Sequence, residues 1–140
     1  MYSQRVNVEN LSVWDAVSAG RAPYTNAFGK LSNKDKLLTD KALSMVRLEH
    51  LGAKQLNTLS DGEHQKTMLA RAIAQDTPLL ILDEPASHLD VRSRIELAIL
   101  LQEISKKDNK AILFSTHDIG LSMQISTRVL LVKAKEVVQD

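Results

Sequence analysis

Asp83 and Glu84 close a run of apolar residues, Leu79-Leu80-Ile81-Leu82, bounded on its other side by Pro78. A continuous apolar run of this kind suits a strand buried on both faces of a parallel sheet. In open α/β sheets ligands gather outside the carboxyl ends of the strands, so two adjacent acids there are placed to serve a metal-bound nucleotide. Neighbouring strand residues point to opposite sides, which gives the two acids different tasks. Asp83 is read as the acid that holds Mg2+ through a coordinated water, and Glu84 as the general base that polarises an attacking water. The plainer alternative is a strand that ends in two solvated acids.

Two further groups have the right type and spacing for the same chemistry. Ser60 is an N-cap residue with Glu63 three positions later, a capping box that opens a helix running to about Gln75. The free N–H groups and positive dipole end of such a helix make an anion site, and Gly62 lets the backbone come close. The helix is also an ordinary amphipathic one, with Met68, Leu69, Ala72 and Ile73 expected to face a core. His117 follows a second apolar strand, Ala111 to Phe114, and its imidazole is expected on the same rim as Asp83. A neutral imidazole there can donate to a phosphate oxygen or orient a water. His50, His64 and His88 lack such a setting, and without cysteine or a paired-histidine spacing a structural zinc site has little support.

The order of the pieces adds what none has alone. Leu59-Ser60-Asp61-Gly62-Glu63, a helix-length run, Leu79 to Pro85, Ser87-His88-Leu89-Asp90 and Ile112 to Asp118 resemble the second half of an ABC-type ATPase domain. They match its signature loop, Walker B strand, D-loop and switch histidine. The resemblance runs from about Gln4 to Val132 and implies that ATP and Mg2+ are the cofactors. It also implies that Ser60, Asp61, Gly62 and Glu63 meet the γ-phosphate of ATP held by a second ATPase subunit in a homodimer, and that Asp90 couples the two ATP sites. Asp90 can equally be the N-cap of a helix from Val91 to about Lys106. The family consensus at the signature is Leu-Ser-Gly-Gly-Gln, so Asp61 and Glu63 are departures. Two carboxylates repel a phosphate unless Asp61 points away and Glu63 folds back onto the cap.

The segment from Leu11 to Pro23 is similar to the one that follows the Q-loop in importers of ferric siderophores, haem and cobalamin. By that alignment Gln4 is the Q-loop glutamine, a sensor of Mg2+ and of transmembrane permease subunits. Trp14, Tyr24 and Phe28 then either grip a coupling helix or staple the helical subdomain together.

The elements that must position these groups divide at residue 58. Residues 1–58 are expected to form the Q-loop end and a helical subdomain, and residues 59–140 the signature helix and the second half of the ATPase core. Ser12-x-x-Asp15 and Ser32-x-x-Asp35 are capping-box starts, and Asn33 to Leu51 carries Leu38, Ala42, Met45 and Val46 at helical spacing before Gly52 stops it. Gly20 to Tyr24 reads as a connector, because Pro23 biases Ala22 away from helix. The fold class is α/β, a partial P-loop NTPase (RecA-like) parallel sheet with helices plus the ABC helical subdomain on its N-terminal side. Strands near 79–83 and 111–115 are expected to be parallel neighbours joined by a right-handed crossover, with a third strand, Arg128 to Val132, in the same layer.

Composition sets the outer bounds. A chain of 140 residues can bury one core, and 25% charged with 44% hydrophobic residues is ordinary for a globular domain. A formal net charge of +1 gives no reason to expect nucleic-acid binding through bulk electrostatics. The absence of cysteine fits a reducing compartment. No apolar run approaches the roughly 20 residues that span a bilayer. Direct membrane insertion is therefore not expected, and a cytoplasmic chain would sit on the inner face of the membrane through its permease partners.

One part of the ATPase machinery is missing from the sequence. Glycines stand at 20, 29, 52, 62 and 120, and only Gly29 is followed by lysine, with Leu31 where Ser or Thr is needed. No Gly-rich loop ending in Gly-Lys-Ser/Thr is present to cradle the phosphates. The resemblance therefore implies a C-terminal portion of the ATP-hydrolysing subunit of an ABC importer for iron complexes or cobalamin, an ATPase in the full-length subunit and inactive alone. A non-transport ABC ATPase in DNA repair or translation, and a non-catalytic interaction module, are the alternatives.

Overall fold

The computed structural model describes residues 11–133, apart from Ala27 and His88, together with 136–139. Two compact units divide between Leu80 and Ile81. The Gln4 and His88 readings lie outside the described residues.

Three helices make the core of the first unit, and each opens on a serine. Helix α1 (Val13–Ser18) starts at Ser12, α2 (Asn33–Met45) at Ser32 and α3 (Asp61–Ala74) at Ser60, and all three capping boxes close reciprocally. Each box satisfies two N–H groups that a helix start otherwise leaves without an acceptor. Helix α3 packs on both α1 and α2. Its buried residues are Thr67, Leu69, Ala70, Ile73 and Ala74, whereas Met68 and Ala72 are only half-buried. Contact with two helices widens the buried face, and the small Ala70 and Ala74 allow close approach.

Helix α2 ends earlier than its apolar spacing suggests. It stops at Met45, and Arg47 takes a left-handed φ of 62°. Arg47 N–H donates to Ser44 C=O at 3.0 Å and Leu48 N–H to Leu43 C=O at 2.9 Å. This pair of bonds is a Schellman closure, and the buried Leu43 and Leu48 are its apolar clasp. A separate 3-10 turn, Glu49–Leu51, then precedes Gly52, so Gly52 is not the stop. The expected connector is also ordered: Ala19–Tyr24 is a 3-10 helix containing Pro23, whose fixed φ suits that geometry.

Arg21 in that 3-10 helix is buried and ties the unit together. Its Nε donates to Asp35 Oδ1 at 2.9 Å, and Nη1 donates to the Ala74 and Gln75 carbonyls at 2.9 and 3.2 Å. It thus caps the carbonyl end of α3 while pairing with the acid that caps α2. The Ser32 hydroxyl and backbone N–H, then the Arg21 hydrogen bond, hold the Asp35 carboxyl down to about 2. Gly20 sits where a side chain has no room: an added Cβ would lie 2.3 Å from the Arg71 carbonyl oxygen.

In the second unit β2 (Ala111–Phe114) pairs with β1 (Leu79–Leu82), the strand that runs across the unit boundary. Ser115 N–H donates to Leu82 C=O at 3.0 Å, which joins the carboxyl ends of both strands, so the strands run parallel. Helix α4 (Val91–Asp108) makes the crossover between them and ends on Asn109 in the left-handed conformation. A shorter helix, α5 (Ile119–Ile125), packs against α4.

One expectation about this sheet fails. The strand expected to be buried on both faces buries only Leu80 deeply, while Ile81 is 70% and Leu113 51% exposed. One face of the β1–β2 pair is thus open. Strand β3 (Leu130–Lys133) pairs antiparallel with β4 (Glu136–Gln139). A hairpin supplies β3 with a hydrogen-bonding partner locally, without a long crossover.

Candidate functional site

The carboxyl ends of β1 and β2 bring Asp83, Glu84, Ser115 and His117 into one hydrogen-bonded group. Neither acid lies inside the strand, so strand alternation does not separate them. A turn does. Ser87 N–H donates to Glu84 C=O at 3.0 Å, with Pro85 in the position whose φ a type I or II turn requires. Glu84 adopts φ of 43°, a left-handed conformation that costs energy for any residue with a side chain. Such a conformation persists only where the surroundings over-determine it.

Ser115 bonds to both acids. Its hydroxyl donates to Asp83 Oδ1 at 2.5 Å and accepts from Glu84 N–H at 3.0 Å. The Glu84 carboxylate reaches His117, with Oε1 at 3.2 Å from Nδ1. Asp83 and Glu84 therefore do face different neighbours, one the serine and the other the histidine. The segment after His117 is held as well: Asp118 N–H donates to Thr116 Oγ1 at 3.0 Å, and Asp118 Oδ1 caps α5 by accepting from Leu121 N–H at 3.0 Å. Arg94 of α4 donates to Leu89 C=O at 2.8 Å and lies 3.6 Å from Asp118 Oδ2.

Mg2+ fits this group by the chemistry of its donors. Among the described residues Asp83 Oδ2 has no hydrogen-bond donor, and a carboxylate oxygen is the hard ligand that this ion takes. Among the described residues no group of three or more Asp, Glu, His or Cys side chains is placed to hold a metal ion by itself.

Asp90 is occupied as the N-cap of α4. Its Oδ1 accepts from Ser93 N–H at 3.0 Å and its Oδ2 from the Ser93 hydroxyl at 2.7 Å, and these bonds hold its carboxyl below the usual range.

In the first unit the signature residues form the opening of α3. Glu63 folds back onto the cap, its Oε2 accepting from Ser60 N–H at 2.8 Å and from Ser60 Oγ at 2.9 Å. These two bonds lower the Glu63 carboxyl, and Lys54, 3.9 Å from the same oxygen, adds to the effect. Gly62 is half-buried in the first turn, and Asp61 is exposed. Of the three aromatic residues, Trp14 joins α1 to α2 through a 2.7 Å bond to Asp40, and the Arg21 guanidinium lies 4.0 Å over the Tyr24 ring. Phe28 is 94% exposed.

Sequence reasoning did not single out Ser115 or Arg21. A hydroxyl residue two places before His117 was a signal for the first, but its acceptor and donor come from another strand. Nothing local marked Arg21 as buried.

Paired acids and a histidine thus stand at adjoining strand ends of an α/β chain, and comparison with known proteins defines its class. The ABC transporter family matches residues 1–87, and the chain belongs to that family. It is 42% identical over 136 residues to an ABC transporter ATP-binding protein of Methanocaldococcus jannaschii, covering 97% of this chain and 47% of the relative. It is 32% identical over 130 residues to the iron(3+)-hydroxamate import ATP-binding protein FhuC of Bacillus subtilis, covering 93% of this chain and 48% of the relative. A solved structure described as an inward-facing conformation of a metal-chelate type ABC transporter superposes on 100% of this chain and 55% of its own, at 30% identity and a TM-score of 0.90. The fold is thus a partial P-loop NTPase-type α/β fold. The chain spans about half the length of the curated relatives it matches. Among the described residues no helix is long and apolar enough to cross a membrane.

Proposed function

We propose that this chain is part of the ATP-hydrolysing subunit of an ABC importer for iron complexes or cobalamin. The observation that carries the reading is the network Asp83–Ser115–Glu84–His117 at the joined ends of two parallel strands. Import relatives such as the iron(3+)-hydroxamate protein of Bacillus subtilis support the cargo class.

In this reading Asp83 Oδ2 would hold Mg2+ through a coordinated water. When bound, the ion would supply charge neutralisation at the phosphates of ATP. Glu84 accepts the proton of the attacking water, and His117 spends its one N–H either on Glu84, keeping that carboxylate aimed, or on a phosphate oxygen. Ser60 and Gly62 present the first-turn N–H groups of α3 to the nucleotide of a second ATPase subunit. With Glu63 engaged in its own cap, its charge is partly satisfied before a phosphate arrives. Gln4 senses Mg2+ and the permease, and Asp90 couples the two ATP sites while capping α4. The subunit works in the cytoplasm, bound to the membrane through permease subunits.

The test is Glu84→Gln in the complete subunit, which carries a phosphate loop. The amide keeps the shape but cannot act as a base, so ATP binding should persist while phosphate release falls to background. Wild-type phosphate release from the Glu84→Gln protein would remove Glu84 from the mechanism and this reading with it.

A further inference from the structure

We propose that the Ser115 hydroxyl is a positioning group for both acids, leaving one Asp83 oxygen to face the hydrated Mg2+ and holding the Glu84 backbone in its left-handed conformation. This rests on the ATPase reading given above. A hydroxyl has one proton to give and lone pairs to receive, and here both capacities are used on the neighbouring strand end. The proton goes to Asp83 Oδ1 in a charge-assisted bond of 2.5 Å, which leaves Oδ2 as the oxygen open to a metal. The oxygen accepts the Glu84 N–H at 3.0 Å. The backbone N–H of Ser115 donates separately to Leu82 C=O at 3.0 Å, so the sheet itself sets where the hydroxyl stands.

The second bond has a specific load. Glu84 precedes proline and has φ of 43°, a conformation with no intrinsic preference behind it. The turn bond from Ser87 fixes the carbonyl side of Glu84, and the Ser115 hydroxyl fixes its N–H side. Together they hold the backbone from which the Glu84 carboxylate reaches His117. One side chain thus links the placement of the metal acid to that of the base.

Alanine at this position removes both side-chain bonds and keeps the strand bond. Threonine keeps all three, and because Ser115 is exposed its extra methyl group has space. The experiment is done in the complete subunit, with nucleotide binding measured by displacement of a fluorescent ATP analogue with Mg2+ or with EDTA. Ser115→Ala is expected to reduce the gain in ATP affinity on adding Mg2+ by about tenfold, the weak end of a hydrogen bond to a charged group. Its apparent KM for Mg2+ should rise and kcat should fall, with affinity in EDTA and the thermal midpoint unchanged. Amide exchange at Glu84 should accelerate without nucleotide. Ser115→Thr should restore every one of these to near wild type. A Ser115→Ala protein with the wild-type Mg2+ gain and Glu84 exchange rate would overturn the inference alone, as would a Ser115→Thr protein as impaired as alanine. A wild-type subunit that neither binds nor hydrolyses Mg–ATP would overturn the functional reading and the inference together.

Discussion

Glu63 shows how a single hydrogen-bond pattern changes what a charge does. A carboxylate beside a helix terminus meant for a phosphate is unfavourable if it faces the anion. Here it accepts two bonds from Ser60 and lies near Lys54, so much of its charge is met within the cap. Asp61, the other departure from the family consensus, is exposed in the first turn and makes no part of the capping box. Removing its carboxylate should not weaken an anion site. Asp61→Gly in the complete subunit is therefore expected to leave ATPase activity unchanged or raise it, measured as phosphate release. A loss greater than about tenfold, roughly 1.4 kcal/mol, would mean that Asp61 makes a needed contact.

At the scale of elements, the packing of the 3-10 helix Ala19–Tyr24 onto α3 holds the signature helix within its own unit. Gly20 allows the approach and Arg21 fastens it, by satisfying two carbonyls at the end of α3. A methyl group at Gly20 would meet backbone, which cannot swing aside as a side chain can. Gly20→Ala is expected to destabilise the protein by about 1–3 kcal/mol, the usual cost of overpacking. Chemical denaturation would measure it as a lower midpoint with an unchanged slope. A wild-type midpoint would mean that the 3-10 helix yields freely and does not fix α3.

For the molecule as a whole, the open sheet is the main liability. Leu79, Ile81 and Leu113 are 45%, 70% and 51% exposed on a two-stranded parallel pair. Apolar strands with unpaired edges add other strands. The 140-residue chain alone is therefore expected to self-associate, seen as a weight-average mass above the monomer in light scattering. It is also expected to lack ATPase activity, since its sequence holds no Gly-Lys-Ser/Thr loop. A monomer that hydrolyses ATP at ordinary enzyme rates would overturn both expectations.

The sequence alone determined the starts of α1, α2 and α3, because a capping box is a contact between residues three apart and needs nothing distant. It also placed β1, α4 and β2, whose apolar runs and Asp90 cap are local signals. Helix ends were less legible. Arg47 closes α2 through a left-handed turn that glycine would ordinarily mark, and the clasp between Leu43 and Leu48 decides it. The partner of β3 was decided by hairpin pairing, which apolar spacing does not encode. Asp83, Glu84 and His117 could be named from order and spacing. What joins them could not, because Ser115 is 32 residues from Asp83 and 31 from Glu84. Only the pairing of two parallel strands brings that hydroxyl to the acids, and a hydrogen bond is specified by position in space rather than by distance along the chain.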